Sequence, residues 1–343
     1  MDARHGKDLW RPYRRFVIWQ HHNSKWRAID DGTASGHNEA VSSATRVHTS
    51  EPAWAAAVAR RFSVRNRHLL ESWSVPGHLP SLNGGCDDEK SAYRWKGVSE
   101  GDRCLNIVAY WDNERRRVMF VELWGHPFGL KAAVETYNRD PELHVAVMRT
   151  LLFTPCSHFY DDRLTIDLDS SRGSGQRAYR DLCSLTGKVL DQEKHARMAP
   201  CVVYTGCELR LDEVVSDSCL TLAPKPGRLE KISALIHAVL QSGTCSPAQA
   251  ATILGKCGFV GSQLQGRILR FADRPLIERQ HSKDPDVSVT DRLRACLSFI
   301  LEAFARLQPK SIPLSMSEPV VVIYADAAFT PGSPISGMGG RHP

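Results

Sequence analysis

The chain has 343 residues, 44 Lys and Arg against 38 Asp and Glu for a formal charge of +6, and ten cysteines. Hydrophobic residues at 42% and charged residues at 24% exclude a chain disordered throughout, and the length suits roughly two or three domains. No apolar run reaches the roughly 18 residues of a membrane span and no apolar segment follows the first basic residues, so an intracellular protein with no membrane partner is expected.

The first 67 residues hold twelve Lys and Arg against six Asp and Glu, so the whole net charge lies there and the other 276 residues balance at 32 of each sign. A basic, aromatic-bearing region of this kind suits a polyanion such as nucleic acid, and equally a solvated face or a flexible arm. His21 and His22, beside Trp19 and Trp26, read as surface rather than metal ligands. Gly/Pro/Ser-rich breaks fall at 76–85, 170–175, 224–227 and 308–319.

Residues 105–110 and 118–123 are apolar, β-prone runs around a charged loop, which predicts a hairpin. Residues 130–152 are rich in helix formers but contain Pro141, so a helical pair or a kink is expected. Residues 153–159 and 164–168 read as strands flanking a tight turn with Asp161 and Asp162, 178–188 as a helix, and 201–204 and 207–211 as strands. Beyond Pro224 the pattern turns helical. Leu229, Ile232, Leu235, Ile236, Val239 and Leu240 form an amphipathic stripe that Gly243 stops, and Ser246 to Gln249 is a capping box with Pro247 at the first helical position. A further helix is expected over 291–307, then a buried strand over 320–324. The cysteines never form a C-x-x-C pair and are spread through apolar segments, which predicts reduced, mostly buried thiols rather than a disulfide frame or a zinc site.

Three acidic positions sit beside strand-like runs: Asp88 within Asp87-Asp88-Glu89, and Asp161-Asp162 after Phe159-Tyr160. Adjacent carboxylates repel unless a cation binds them, and two divalent ions about 3.5–4 Å apart are the usual means of activating a hydroxyl and stabilising a leaving pyrophosphate. Singly, such an acidic pair is an ordinary solvated turn.

The order of several motifs resembles the reverse transcriptases of retroelements, over about residues 25–324. Lys25-Trp26-Arg27 with Asp30-Asp31 and His37-Asn38 looks like the fingers segment whose cations meet the incoming triphosphate. Asp88 to Tyr93 looks like motif A, D-x-x-x-A-Y, which selects Asp88 over Asp87. Pro127-Phe128-Gly129-Leu130 is similar to motif B and Phe159-Tyr160-Asp161-Asp162 to motif C, with Asp88 and Asp161 73 residues apart. Gly187 and Lys194 suit motif D, Tyr204-Thr205-Gly206 the primer grip of motif E, and Tyr324-Ala325-Asp326 the opening of a ribonuclease H domain. Two departures stand out: acids flank Asp88, and Arg163 follows motif C where an apolar residue is usual, so either the turn is distorted or the arginine points outward.

The resemblance implies an α+β right-hand polymerase: fingers and palm with an antiparallel sheet over 1–211, a helical thumb or connection over 212–317, and a truncated ribonuclease H start over 318–343. It implies RNA-directed DNA polymerisation with dNTPs on an RNA or DNA template-primer duplex, of the long-terminal-repeat or tyrosine-recombinase kind. Asp88, Asp161 and Asp162 would hold two Mg2+ or Mn2+ ions, with the Glu89 backbone carbonyl in support. Lys25 and Arg27 would meet the β and γ phosphates, Tyr93 would exclude a ribose 2′-hydroxyl, and Phe128 and Gly129 would wall the nucleotide, Phe128 being otherwise core. Lys194 is either the acid for pyrophosphate or a surface charge, and Tyr204 and Gly206 would hold the primer. Asp326 is a vestigial ribonuclease H position, and that activity is not expected of a chain ending at Pro343. The rival reading is a decayed or domesticated copy that binds nucleic acid without catalysis; a telomerase-like or splicing-associated relative fits Asp326 less well.

Overall fold

The computed structural model describes all residues except 21–23, 43–45, 51, 66, 74–79, 262–267, 316–323, 329–336 and 342–343; for 25, 73, 268, 271, 324–328 and 337–341 only the backbone is described. In chain order the strands are β1 (Pro12–Gln20), β2 (Lys25–Asp31), β3 (Leu82–Asp88), β4 (Ile107–Asp112), β5 (Arg117–Glu122), β6 (Cys156–Phe159) and β7 (Asp162–Leu168). They continue as β8 (Ala196–Ala199), β9 (Cys201–Tyr204), β10 (Cys207–Arg210), β11 (Cys219–Pro224), β12 (Lys310–Pro313), β13 (Tyr324–Ala328) and β14 (Gly337–Arg341). The helices that matter below are α1 (Pro52–Arg60), α2 (Lys131–Thr150), α3 (Ser174–Leu185), α4 (Arg228–Ser242), α5 (Pro247–Val260), α6 (Asp273–His281) and α7 (Asp291–Arg306).

Runs of strands and runs of helices follow one another, giving a mixed α+β fold with separate sheets. The first sheet has the order β2-β1-β4-β5, with β1 parallel to β4 and the expected β4–β5 hairpin pairing Ile107 with Glu122 through Asp112 with Arg117. The second, β6-β7-β3-β8, is antiparallel, and the third has the order β12-β11-β10-β9. β13 and β14 form a two-stranded ladder in which Asp326 pairs with Gly339. Most of the buried strand expected over 320–324 lies outside the described residues, as do His21 and His22.

β3 begins inside the stretch read from sequence as a break, with Gly84 and Gly85 at its centre. The glycines are there for closeness rather than for a turn. A Cβ on Gly84 would lie 2.5 Å from Val202 of β9, and one on Gly85 would lie 2.7 Å from Gln176 of α3, so both faces of β3 are packed at backbone distance.

Expectation and structure also part at Pro141. One helix, α2, runs through it, because Pro141 lies on the buried stripe with Ala133, Tyr137, His144 and Met148. Packing of that stripe over Cys156, Tyr179 and Cys183 outweighs one lost backbone hydrogen bond. The helix expected at 178–188 starts four residues earlier as α3, and the stripe, Gly243 stop and capping box are found as expected in α4 and α5. One apolar core joins β3, β7 and β9–β11 to α1 and α4–α7, including Leu82, Leu164, Ile166, Leu209, Ile236, Ile253 and Ile300. All ten cysteines are free, and six are buried. Among the described residues no helix is long and apolar enough to cross a membrane.

Candidate active site

Because β3 and β7 run antiparallel, the end of one meets the start of the other: Asp88 and Asp162 are partners across the ladder. Phe159 pairs with Asp162 on the far side, so Tyr160 and Asp161 are the whole loop of the β6–β7 hairpin. Tyr160 makes the turn at φ 54°, a left-handed conformation that strains a bulky side chain. The Glu89 N–H donates to the Asp161 carbonyl at 3.3 Å and ties the end of β3 to this loop.

Three consecutive acids are tolerated because each is neutralised in a different place. Asp87 accepts hydrogen bonds from Gln176 (3.0 Å) and Arg180 (3.3 Å) of α3 and is 2.8 Å from His195 Nδ1. Asp88, on the opposite face of the strand, accepts from Lys194 Nζ at 2.8 Å. Glu89 is buried between the Lys188 ammonium, 2.9 and 3.0 Å from its two oxygens, and the Arg163 guanidinium at 3.2 Å. Arg163 therefore does not point outward: it is 0% exposed. Its Nη1 donates to the carbonyl of Tyr160, the strained residue of the turn, at 2.6 Å.

Around Asp88, Asp161 and Asp162, three carboxylates share the one ammonium of Lys194 that pairs directly with them among the described residues. Burial raises the Asp161 carboxyl and Asp88 adds to it; burial, then Asp161 and Asp88, push Asp162 up to about 7. Burial opposes the Lys194 charge, but its hydrogen bond to Asp88 together with the charges of Asp88, Asp161 and Asp191 outweighs this and raises the ammonium above its usual value. Carboxylate oxygens with excess negative charge are the donor set that Mg2+ or Mn2+ takes, so the residues present fit such ions. Among the described residues, no three His, Cys, Asp or Glu side chains already converge as a ligand set.

A second wall comes from segments distant in sequence. Tyr93 packs edge-on against Phe128 at 5.2 Å and Tyr137 at 4.9 Å, and burial, followed by Asp161 and Tyr160, pushes its hydroxyl up to about 12. The Arg27 and Arg94 guanidinia lie 5.5 and 5.7 Å from the Phe128 ring, a cation–π arrangement that joins β2 to the motif B segment. Asp30, 1% exposed, anchors Arg15 at 2.7 Å and Arg94 at 3.0 Å. Gly129 has φ 97°, and a side chain there would collide with the Asp30 carbonyl. Lys25 and Arg27 lie on β2 two residues apart, hence on one face; Lys25 is described at its backbone only.

On the other side, Thr205 (φ 47°) and Gly206 (φ 78°) form the tip of the β9–β10 hairpin, and Cys207 closes it opposite Tyr204. Tyr204 is 1% exposed, its hydroxyl donating to the Ser50 carbonyl at 2.9 Å. This tip, Lys225 and Arg228 line one cleft of about 390 Å³ together with Asp88, Asp162 and Lys194. A cleft lined by both carboxylates and cations suits a phosphodiester chain bound with metal ions.

No protein-family model and no curated protein matches this sequence. Solved structures do match. A foamy viral protease-reverse transcriptase in complex with RNA/DNA hybrid superposes with a TM-score of 0.58 at 11% identity, over 86% of this chain and 33% of that one. The foamy viral protease-reverse transcriptase dRH in complex with ds DNA gives 0.56 at 12% identity, over 96% and 49%, and the dsDNA complex of the foamy viral enzyme gives 0.55 at 13%, over 96% and 61%. The fold is reverse-transcriptase-like. The chain spans from a third to about three-fifths of the length of these structures.

Within this reverse-transcriptase-like fold, Asp88, Asp162, Lys194, Tyr204 and Gly206 meet in one cleft, and Tyr93 contacts Phe128, which stacks with Arg27. Asp326 lies on the β13–β14 ladder and is described at its backbone only. Sequence reasoning passed over Lys225 and Arg228, although both flank Gly227 at the start of the amphipathic stripe, and over Lys188, which carried no signal of its own.

Proposed function

We propose that this chain is the RNA-directed DNA polymerase part of a retroelement. The observation that carries the reading is the pairing of Asp88 with Asp162 in a cleft that Lys225 and Arg228 also line. Fingers and palm over 1–211, a thumb or connection over 212–317 and a ribonuclease H start over 318–343 are the division this reading assigns. An element of the long-terminal-repeat or tyrosine-recombinase kind is its source.

Asp88, Asp161 and Asp162 would hold two Mg2+ or Mn2+ ions, which when bound lower the pKa of a primer 3′-hydroxyl and neutralise the pyrophosphate. The remaining work is positioning. Arg27 and Lys25 take the β and γ phosphates of a dNTP, and Tyr93, wedged between Phe128 and Tyr137, forms the floor under the sugar where a 2′-hydroxyl would clash. Phe128 and Gly129 limit the nucleotide on the template side. Lys194, held at Asp88, stands where a proton reaches the leaving pyrophosphate. The Tyr204–Gly206 tip, with Lys225 and Arg228, holds the primer strand of an RNA or DNA duplex.

A second reading, a domesticated copy that binds duplex without extending it, is favoured by one contact: Lys194 occupies the Asp88 carboxylate. Mg2+-dependent extension of oligo(dT) on poly(rA) by the purified chain separates the two. Nucleotide addition supports the polymerase; tight duplex binding with no addition supports the domesticated copy.

A further inference from the structure

We propose that Arg163 is a positioning residue that straps the Asp161–Asp162 turn to the end of β3, an inference that rests on the polymerase reading. The Arg163 side chain is fully buried. Nη1 donates to the carbonyl of Tyr160 at 2.6 Å and lies 3.4 Å from that of Asp162, while Nη2 donates to Glu89 Oε1 at 3.2 Å. The guanidinium thus grips the backbone on both sides of Asp161 and clips it to the residue that follows Asp88. Its planar fork makes these contacts from two nitrogens held a fixed distance apart, a geometry that the single nitrogen of an ammonium does not supply.

The anchor is held in turn. Lys188 pairs with Glu89 at 2.9 Å and with Asp140 of α2 at 3.6 Å, and Asp140 also pairs with Lys96. Lys188 lies 5.4 Å from the Tyr137 ring, which packs on Tyr93 at 4.9 Å. One connected network therefore runs from the turn, through Glu89, to the floor of the sugar site. Stability alone gives no reason for it, because a buried ion pair is commonly no better than apolar side chains of the same volume. A turn with the strained Tyr160 at its corner does need external holding if the Asp161 carboxylate is to keep one direction.

The test compares wild type with Arg163→Lys, which keeps the charge that neutralises Glu89 but loses the fork, and with the double variant Glu89→Gln/Arg163→Met, which removes the buried pair while preserving volume. Backbone amide exchange over residues 158–164 and single-turnover extension are measured on the full chain. Exchange in that segment should rise roughly tenfold in both variants with the rest of the chain unchanged, and kcat should fall roughly 10- to 100-fold with the dNTP KM within about twofold. Unchanged exchange, or a folded Arg163→Lys protein with wild-type kcat, overturns the proposal. If Arg163→Lys fails to fold, the double variant decides by the same two readings. If wild type itself adds no nucleotide, the polymerase reading fails, and the exchange arm still decides the strap: loss of protection supports it and retention overturns it.

Discussion

Asn38 and Gly129 lie 91 residues apart and are joined through the Asn38 amide, whose Nδ2 donates to the Gly129 carbonyl at 2.9 Å. Its Oδ1 accepts the Lys131 N–H at 2.9 Å, and Nδ2 also reaches Thr33 Oγ1 at 3.0 Å. One side chain thus clamps the loop after β2 to the start of α2 and fixes Phe128 against Arg27. Asn38→Ala removes the hydrogen bonds to two part-buried backbone groups, and a loss of about 1–2 kcal/mol is expected in urea unfolding. On the polymerase reading the dNTP KM should rise with it, since the strand proposed to meet phosphate loses its register with the proposed nucleotide wall; an unchanged KM would separate the clamp from the site.

Asp87 and Asp88 are neighbours with opposite duties. Asp88→Asn should lower extension by about 1,000-fold or more while thermal stability and duplex affinity stay near wild type. Asp87→Ala strands Arg180 and His195 against α3 and should cost about 3 kcal/mol or more of stability. Melting temperatures set beside extension rates distinguish the two; extension that survives in Asp88→Asn would move the metal role to Asp87.

Tyr93 is held by edge contacts on Phe128 and Tyr137, which on the polymerase reading keep its ring in place against a ribonucleotide. Tyr93→Ala should cut the preference for dNTP over rNTP by about tenfold or more, read as the ratio of kcat/KM values. An active Tyr93→Ala enzyme with wild-type sugar discrimination would place the gate elsewhere.

Elements governed by local chemistry were legible in the sequence: the β4–β5 hairpin, the α4 stripe ended by Gly243, the Ser246–Gln249 box. Elements governed by partners far along the chain were not. Gly84 and Gly85 read as a break because their reason for being glycine is Val202 and Gln176, more than 90 residues later. Pro141 reads as an interruption until the buried stripe of α2 is seen packed over Cys156 and Tyr179. The spacing to Tyr93 pointed to Asp88, which lies in one cleft with Asp162, Lys194 and Gly206, yet nothing in the sequence says which of Asp87 and Glu89 meets α3 and which meets Arg163. Strand alternation separates Asp87 from Asp88, and Glu89, just past the end of β3, meets Arg163.

Stability should fall in acid through two buried histidines. His144 and His158 are 2% and 4% exposed. Burial, then Lys188 and Arg163, holds His144 down to about 4, and burial, then Arg163 and Arg149, does the same for His158. Unfolded, both titrate near 6.5, so between pH 6.5 and pH 4 the unfolded chain binds more protons than the folded one. Their contribution is complete above pH 6.5 and is lost progressively as pH falls towards 4. Asp162, raised to about 7, works in the opposite sense over this range, because the folded chain then carries its proton. The histidines are therefore read by difference: urea unfolding of wild type against His144→Gln and His158→Gln at pH 7.5 and pH 5.0. Each variant should remove up to about 2 kcal/mol of the wild-type loss between the two pH values. Identical losses in wild type and both variants would show that neither ring is kept neutral by the fold.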